Sequence, residues 1–401
     1  MKRRRVKITG IGPVTPAGIG REAFTTGILE PVSRVREYRG FARQGGGKFV
    51  AAEVEDALLA PLIEETGSSR LPRHTQFALA GATLAVRDCG LTLAGLRDAS
   101  PIVTVGASLM DFGVMNRIME AMVRKGQAFG LPSAVFSSSV SSISGAIAEA
   151  IGGATRTLAL QSACCSGLDA IGQAANCIAS GEAEIAICGG TEAPLHFHPM
   201  LELKLAGLTP DSAEMPARIC RPFDLWRTTG VISEGAAILV LEPEESPRPG
   251  YAFVEGYAYA TDPAEKPVDG LREAIRLALA NAGVRPVEVD CISAWGPGHK
   301  LVDRAEAQVL RKIFGTRLPE IPVSSLKGAI GNPLGAGGAI QVVSAALGLR
   351  DGLIPPTVNW QYPDPDCPLN LSASARAVAH RRTLVNSHGL SGTNACLVLS
   401  K

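Results

Sequence analysis

The chain has 401 residues, 46% of them hydrophobic, and its 39 Lys and Arg are balanced by 38 Asp and Glu for a net charge of +1. That is apolar material for two cored units, and the neutral balance excludes a globally basic nucleic-acid or membrane-surface binder. Nine dispersed cysteines, no leader-like opening and no run of ~18 apolar residues predict reduced thiols in a cytoplasmic protein without a membrane span.

In chain order, Lys2-Arg3-Arg4-Arg5 reads as a solvated basic terminus, and the Gly- and Pro-broken run after it is not the apolar core of a signal peptide. Apolar runs at Val6–Ile11, Gln76–Cys89, Ile102–Gly106, Ile185–Gly189 and Ala236–Leu241 alternate between strand and helix character, which predicts an α/β fold with buried strands. Arg43–Lys48 is a glycine-rich loop without the spacing of a phosphate-binding loop. The methionine-rich segment Leu109–Val123 fits core packing or an interface. His196 and His198 alternate without acidic or cysteine partners, so no metal site is expected there.

Arg156–Ser162 is a short apolar run that suits a buried strand. After it, Leu168, Ile171, Ala175 and Ile178 recur at helical spacing and Gly181 stands at the helix C-terminal glycine position. Cys164 therefore falls at a helix N-terminus, where free N–H groups and the macrodipole favour a thiolate. The same pattern also fits a small buried residue in an adjacent cysteine pair.

Glu245-Ser246-Pro247-Arg248-Pro249-Gly250 is the clearest punctuation and predicts a boundary between lobes 1–245 and 246–401. Beyond it come a strand at Tyr251–Tyr257, a helix at Asp269–Ala282, a strand at Asp290–Ala294 and a helix at Asp303–Ile313. A strand at Ile321–Ser325 then leads into a glycine-rich helix over Gly331–Leu349. The two lobes are predicted to share a layout, as after a duplication, although no residue-level repeat is visible.

Several segments in this order carry a family resemblance. They are Val6 to Gly18, the cysteine turn, Cys188-Gly189-Gly190-Thr191-Glu192, Arg221 to Asp224 with Ser233 to Ala236, Asp303 and Glu306, Lys327 with Gly331 to Ala336, Ile354 to Asn359, and Gly389 to Asn394. Over nearly its full length the chain resembles the β-ketoacyl-acyl-carrier-protein synthases of the KAS I/II type, members of the thiolase-fold condensing enzymes. The resemblance implies two similar lobes forming a five-layered αβαβα body and a dimer made through the cysteine-bearing half. It also implies a cysteine that accepts an acyl chain from acyl carrier protein or another acyl thioester, with no cofactor.

In that family two histidines bind the malonyl carbonyl and assist decarboxylation. By resemblance Cys164 matches the nucleophile, while Trp295 stands at the first histidine position and Asn332 at the second. Asparagine can still donate, and type III condensing enzymes use it. Tryptophan has one N–H and cannot accept or relay a proton, and losing one donor to a developing enolate costs roughly 10²–10³ in rate. Pro297 and His299 replace threonines that contact the pantetheine arm, and Gln341 replaces a glutamate near Lys327. Gly230, His388 and Leu390 stand where the family places phenylalanines around the nucleophile.

These departures predict a non-decarboxylating partner of a competent ketosynthase, similar to chain-length factors of polyketide systems. A second reading is an acyltransferase that loads Cys164 and passes the chain to a non-malonyl acceptor. It would use the Cys164 and Leu390 backbone N–H groups as oxyanion hole and His388 or His299 as base. An ordinary β-ketoacyl synthase ranks third. Arg70 and Arg73 are candidates for carrier docking.

Overall fold

The structure, a computed structural model, describes residues 3–41, 47–126, 134–211, 215–263 and 269–401. Arg43–Gly46 of the glycine-rich loop lie outside the described residues.

Two half-sheets form the frame. The first holds β1 (Val6–Thr15), β2 (Ile102–Gly106), β3 (Arg156–Leu160), β4 (Ala186–Glu192) and β5 (Gly235–Pro243), in the order β1-β5-β4-β2-β3. The second holds β6 (Ala252–Thr261), β7 (Cys291–Ser293), β8 (Val323–Ser324), β9 (Arg382–His388) and β10 (Thr393–Ser400), in the order β6-β10-β9-β7-β8. Each is therefore first-fifth-fourth-second-third. Directions repeat too: β1/β5 and β5/β4 are antiparallel, as are β6/β10 and β10/β9. The inner pairs β4/β2 and β2/β3 are parallel, as are β9/β7 and β7/β8. The expected common layout is thus present as topology. The halves join where Val6–Ile8 of β1 pairs with Ala252–Val254 of β6.

Side-chain alternation along the strands builds the layers. Ile238 and Val240 of β5 pack outward on α1 (Arg73–Asp88) and α3 (Ser141–Ile151), through Ala82, Ile143 and Ile147; α2 is the intervening helix Phe112–Lys125. Leu239 and Leu241 face inward, where they meet α4 (Ser166–Ser180). On the far side, Leu271 and Ile275 of α5 (Asp269–Ala282) and Leu310 of α6 (Lys300–Phe314) cover Leu384 and Val398 of the second half-sheet. The innermost layer is α4 with α7 (Gly337–Asp351), whose residues 337–349 are all buried. Helix, sheet, helices, sheet, helix: this is the thiolase-like αβαβα arrangement.

Three expectations change. β3 is not buried, because it is a sheet edge: Arg156, Thr157 and Leu158 are exposed. Arg3–Arg5 do not form a free solvated run. Arg4 pairs with Glu184 at 2.8 Å, and Arg5 with Glu244 at 2.6 Å and Glu255 at 3.0 Å. The methionine segment is core packing only at Leu109 and Val114; the rest of its apolar side chains are half-buried or exposed. Asp111 caps α2 by accepting from the Val114 N–H at 2.6 Å, Val114 is the helix's one buried residue, and Met119 and Val123 stand exposed.

Candidate active site

Cys164 sits on a tight turn between β3 and α4. Ala163 is held at φ 52°, a left-handed conformation that costs a non-glycine residue about 1–3 kcal/mol. The turn is tied down by Ser166, whose hydroxyl donates to the Ala163 carbonyl at 2.6 Å and accepts from the Ser162 N–H at 2.9 Å. The end of β9 closes over it: the Ser387 hydroxyl donates to the Cys164 carbonyl at 3.1 Å. The backbone N–H groups of Leu390 and of Cys164 itself favour negative charge on the sulfur.

Burial is the stronger influence on that sulfur. It pushes the thiol up to about 12, helped by Glu192, while the two N–H groups and Lys327 pull the other way. The expected thiolate at the helix N-terminus is thus corrected for the resting site: loss of water outweighs the dipole.

A cavity of about 120 Å³ opens on Cys164. Gly230, Trp295, Pro297, His299, Asn332, His388 and Leu390 all line it, so residues scattered over 160 positions meet in one space. Lys327 and Gln341 lie one layer behind. The Lys327 ammonium donates to Gln341 Oε1 at 2.9 Å and stands 4.2 Å from the Trp295 ring centre. Burial lowers it to about 7, against Glu306, Cys164 and Cys220. Gln341 is fixed by donating to the carbonyls of Ser293 at 3.1 Å, Ala294 at 3.0 Å and Asn386 at 3.2 Å. A neutral amide suffices there because the lysine is itself easily neutralised.

Trp295 follows β7 on a loop shaped by Glu306, which accepts the N–H groups of Trp295 and Gly296, each at 2.9 Å. The indole is 3% exposed and has a slot of its own: a Cβ on Gly337 would stand 2.9 Å from its Cζ3. Gly230 is matched to its neighbour in the same way, since a Cβ there would meet the Pro297 carbonyl oxygen at 2.8 Å. Asn332 is pinned by its backbone N–H to the Val231 carbonyl at 2.6 Å, while its side-chain Oδ1 has no partner among the described residues. His299 stands at the N-cap position of α6 without a side-chain capping bond; its Nδ1 is buried with no partner among the described residues, and burial followed by Arg227 lowers its basicity. His388 is oriented: its Nδ1 lies 2.6 Å from Asn394 Oδ1.

Sequence reasoning missed Gly337, whose lack of a side chain shows only once Trp295 is placed. It also missed Asp262, which accepts from Asn394 Nδ2 at 2.8 Å. In the sequence Glu192 stands out only as the last residue of the Cys188–Glu192 motif. It is fully buried, burial pushes it up to about 7, and it accepts from the N–H groups of Ser108 at 2.8 Å and Gly335 at 3.0 Å. Arg73 is unsuited to carrier docking, being spent on Glu234 at 2.7 Å; Arg70 stays exposed.

The N-terminal domain model of β-ketoacyl synthases matches residues 3–246, and the C-terminal domain model matches residues 250–361. A putative polyketide β-ketoacyl synthase 1 of Streptomyces cyaneus is 31% identical over 99% of this chain and 98% of its own. The ishigamide ketosynthase/chain length factor superposes with a TM-score of 0.91 at 31% identity, covering 100% of this chain and 99% of that one. A type II polyketide acyl-carrier protein in complex with its ketosynthase, bound to the hexaketide, gives 0.88 at 29% identity, covering 99% of each chain. Among the described residues no helix is long and apolar enough to cross a membrane.

Proposed function

Because the chain belongs to the β-ketoacyl synthase family, we propose that it acts in polyketide or fatty-acid synthesis as a chain-length-factor-like partner of a competent ketosynthase, without decarboxylating an extender itself. One observation carries this reading: Trp295, which by resemblance stands at the family's first histidine position, is an indole seated against Gly337 and Lys327. Removing a proton-transferring donor from the enolate oxygen costs several kcal/mol of barrier, by roughly 1.4 kcal/mol per tenfold. The partner half of the proposal is supported by two exposed apolar features, Met119 and Val123 on α2 and Leu158 on the uncovered edge β3. An open edge strand with apolar residues is a surface for another chain. Co-expression with a cognate ketosynthase is expected to yield a stable heterodimer whose product formation survives Cys164→Ala. Carbon dioxide release from malonyl carrier protein by the isolated chain, at a rate matching a competent ketosynthase, overturns it.

A second reading is favoured by the sulfur's surroundings. Both N–H groups that would hold a thioester oxyanion belong to the backbone, and both favour negative charge at Cys164. The site is therefore equipped to take an acyl group from carrier protein or coenzyme A and pass it to a neutral acceptor. Intact-mass measurement after exposure to an acyl donor is expected to show an adduct absent from Cys164→Ala.

A further inference from the structure

Resting on that second reading, we infer that His388 is the general base of the Cys164 cavity, held as the Nδ1–H tautomer with Nε2 free to take a proton. The assignment follows from a chain of hydrogen bonds that runs only one way. Asn394 Nδ2 donates to Asp262 Oδ1 at 2.8 Å, to the Gly392 carbonyl at 3.0 Å and to the Ala260 carbonyl at 3.4 Å. Three acceptors around one nitrogen fix which end of the amide is NH₂. Asp262 is itself held, accepting from the Gly270 N–H at 3.0 Å. Asn394 therefore presents its oxygen to His388 Nδ1 at 2.6 Å, and that oxygen can be met only by an N–H. In the neutral ring the second nitrogen is then unprotonated.

The placement suits the role. His388 and Cys164 line the same cavity, and the residues on either side of His388 close on the nucleophile: Ser387 donates to the Cys164 carbonyl at 3.1 Å. A Cβ on Gly389 would stand 3.3 Å from the Cys164 nitrogen. His299 lines the cavity too, but its buried Nδ1 has no partner among the described residues to set its tautomer. A thiol pushed up to about 12 needs a base at hand to react near neutrality.

The proton accounting closes without an added reagent. In loading, Nε2 takes the thiol proton as sulfur attacks the donor thioester carbonyl. The donor's C–S bond breaks, and the imidazolium returns the proton to the departing thiol. In transfer, Nε2 takes the proton of an acceptor hydroxyl or amine as its oxygen or nitrogen forms the new bond to the acyl carbon. The C–S bond to Cys164 breaks and the proton passes to sulfur. The acceptor class is a neutral hydroxyl or amine, since the base has one proton to remove and no carboxylate to expel.

Two measurements test this on the full chain. In ¹⁵N-histidine-labelled protein, with the His388 signals identified by their loss in His388→Gln, the Nδ1–H tautomer is expected; the Nε2–H tautomer overturns the assignment. Quenched-flow mass spectrometry with octanoyl-coenzyme A as donor and ethanolamine as acceptor is expected to show loading and transfer slowed ~10²-fold or more in His388→Gln, at unchanged melting temperature. If wild type forms the Cys164 adduct and His388→Gln matches its rates, the base assignment falls while the acyl-cysteine reading stands. If wild type never gains the acyl mass, the acyl-cysteine reading falls and takes the base with it.

Discussion

The two half-sheets share one strand order, yet they contribute unlike things to the cavity. Beyond the end of β3 stands Cys164, and at the matching station beyond β8 stands Lys327. Beyond β2 come Ser108 and Leu109, matched beyond β7 by Trp295; β4 ends on Glu192, matched by His388 at the end of β9. The first half supplies a nucleophile on a strained turn and a carboxyl that pins backbone N–H groups. The second supplies the side chains Trp295, His299, Asn332 and His388. Functions carried by backbone geometry persist when side chains change, because a turn and a strand end define them. Functions carried by an imidazole do not.

The sharpest way to break this contrast is to restore an imidazole. Trp295→His is expected to raise carbon dioxide release from malonyl carrier protein ~10²-fold over wild type, since Asn332 can still donate beside it. Radiolabelled malonyl carrier protein gives the measurement, and no gain would mean the block lies elsewhere. The slot behind the indole gives the next largest effect. Gly337→Ala places a methyl 2.9 Å from Trp295 Cζ3 and is expected to cost about 1–3 kcal/mol in urea unfolding. With histidine at 295 the same change should be neutral, or gain up to ~1 kcal/mol from helix propensity. Equal costs in both backgrounds would show that glycine and indole are not a matched pair.

Much of the frame was legible in the chain. Ile102–Gly106 and Asp269–Ala282 occur as expected, because each is a clean apolar run or an amphipathic repeat ended by turn residues. The helix after Cys165 and its Gly181 cap, at φ 82°, were equally plain. β9 and β10 are not legible as strands: β9 ends in buried Asn386 and Ser387 and half-buried His388, polar residues held by hydrogen bonds to Glu306, the Cys164 carbonyl and Asn394 and not by apolar character. The exposure of β3 was hidden because an edge and a centre strand can carry the same apolar run. At the site, residue types pointed to positions, but pairing did not follow. Nothing in the sequence joins Gly337 to Trp295 or Asp262 to Asn394, since these contacts join distant elements of the second lobe and only the fold brings them together.

Lys327 sharpens the contrast through pH. Its folded value near 7 lies below the ordinary lysine 10.5, so above pH 7 the unfolded chain binds more protons and stability rises with pH. The raised carboxyls Glu192 and Asp303, each near 7, act below that window, and the buried thiols act only above their ordinary value of 9. Between pH 7 and 9 wild type should therefore gain stability by at most ~1.4 kcal/mol per pH unit, and Lys327→Met should flatten the slope. Urea midpoints at three pH values decide it; parallel slopes would mean the ammonium is not the group titrating.

The smallest expected effect tests the contrast most directly. Leu390 is 60% exposed, lines the Cys164 cavity, and its backbone N–H favours negative charge on the sulfur. If the oxyanion site belongs to the backbone, Leu390→Ala leaves that N–H in place and Cys164 loading by octanoyl-coenzyme A should change less than ~3-fold, well short of the 10²–10³ that losing a donor costs. A large loss would mean that the side chain positions the loop, and the division between backbone and side-chain functions would fail at the residue where it is cleanest. A gain is also informative: trimming the leucine then widens the mouth of the cavity, and the isobutyl group limits entry of the acyl chain while the N–H continues to bind its carbonyl.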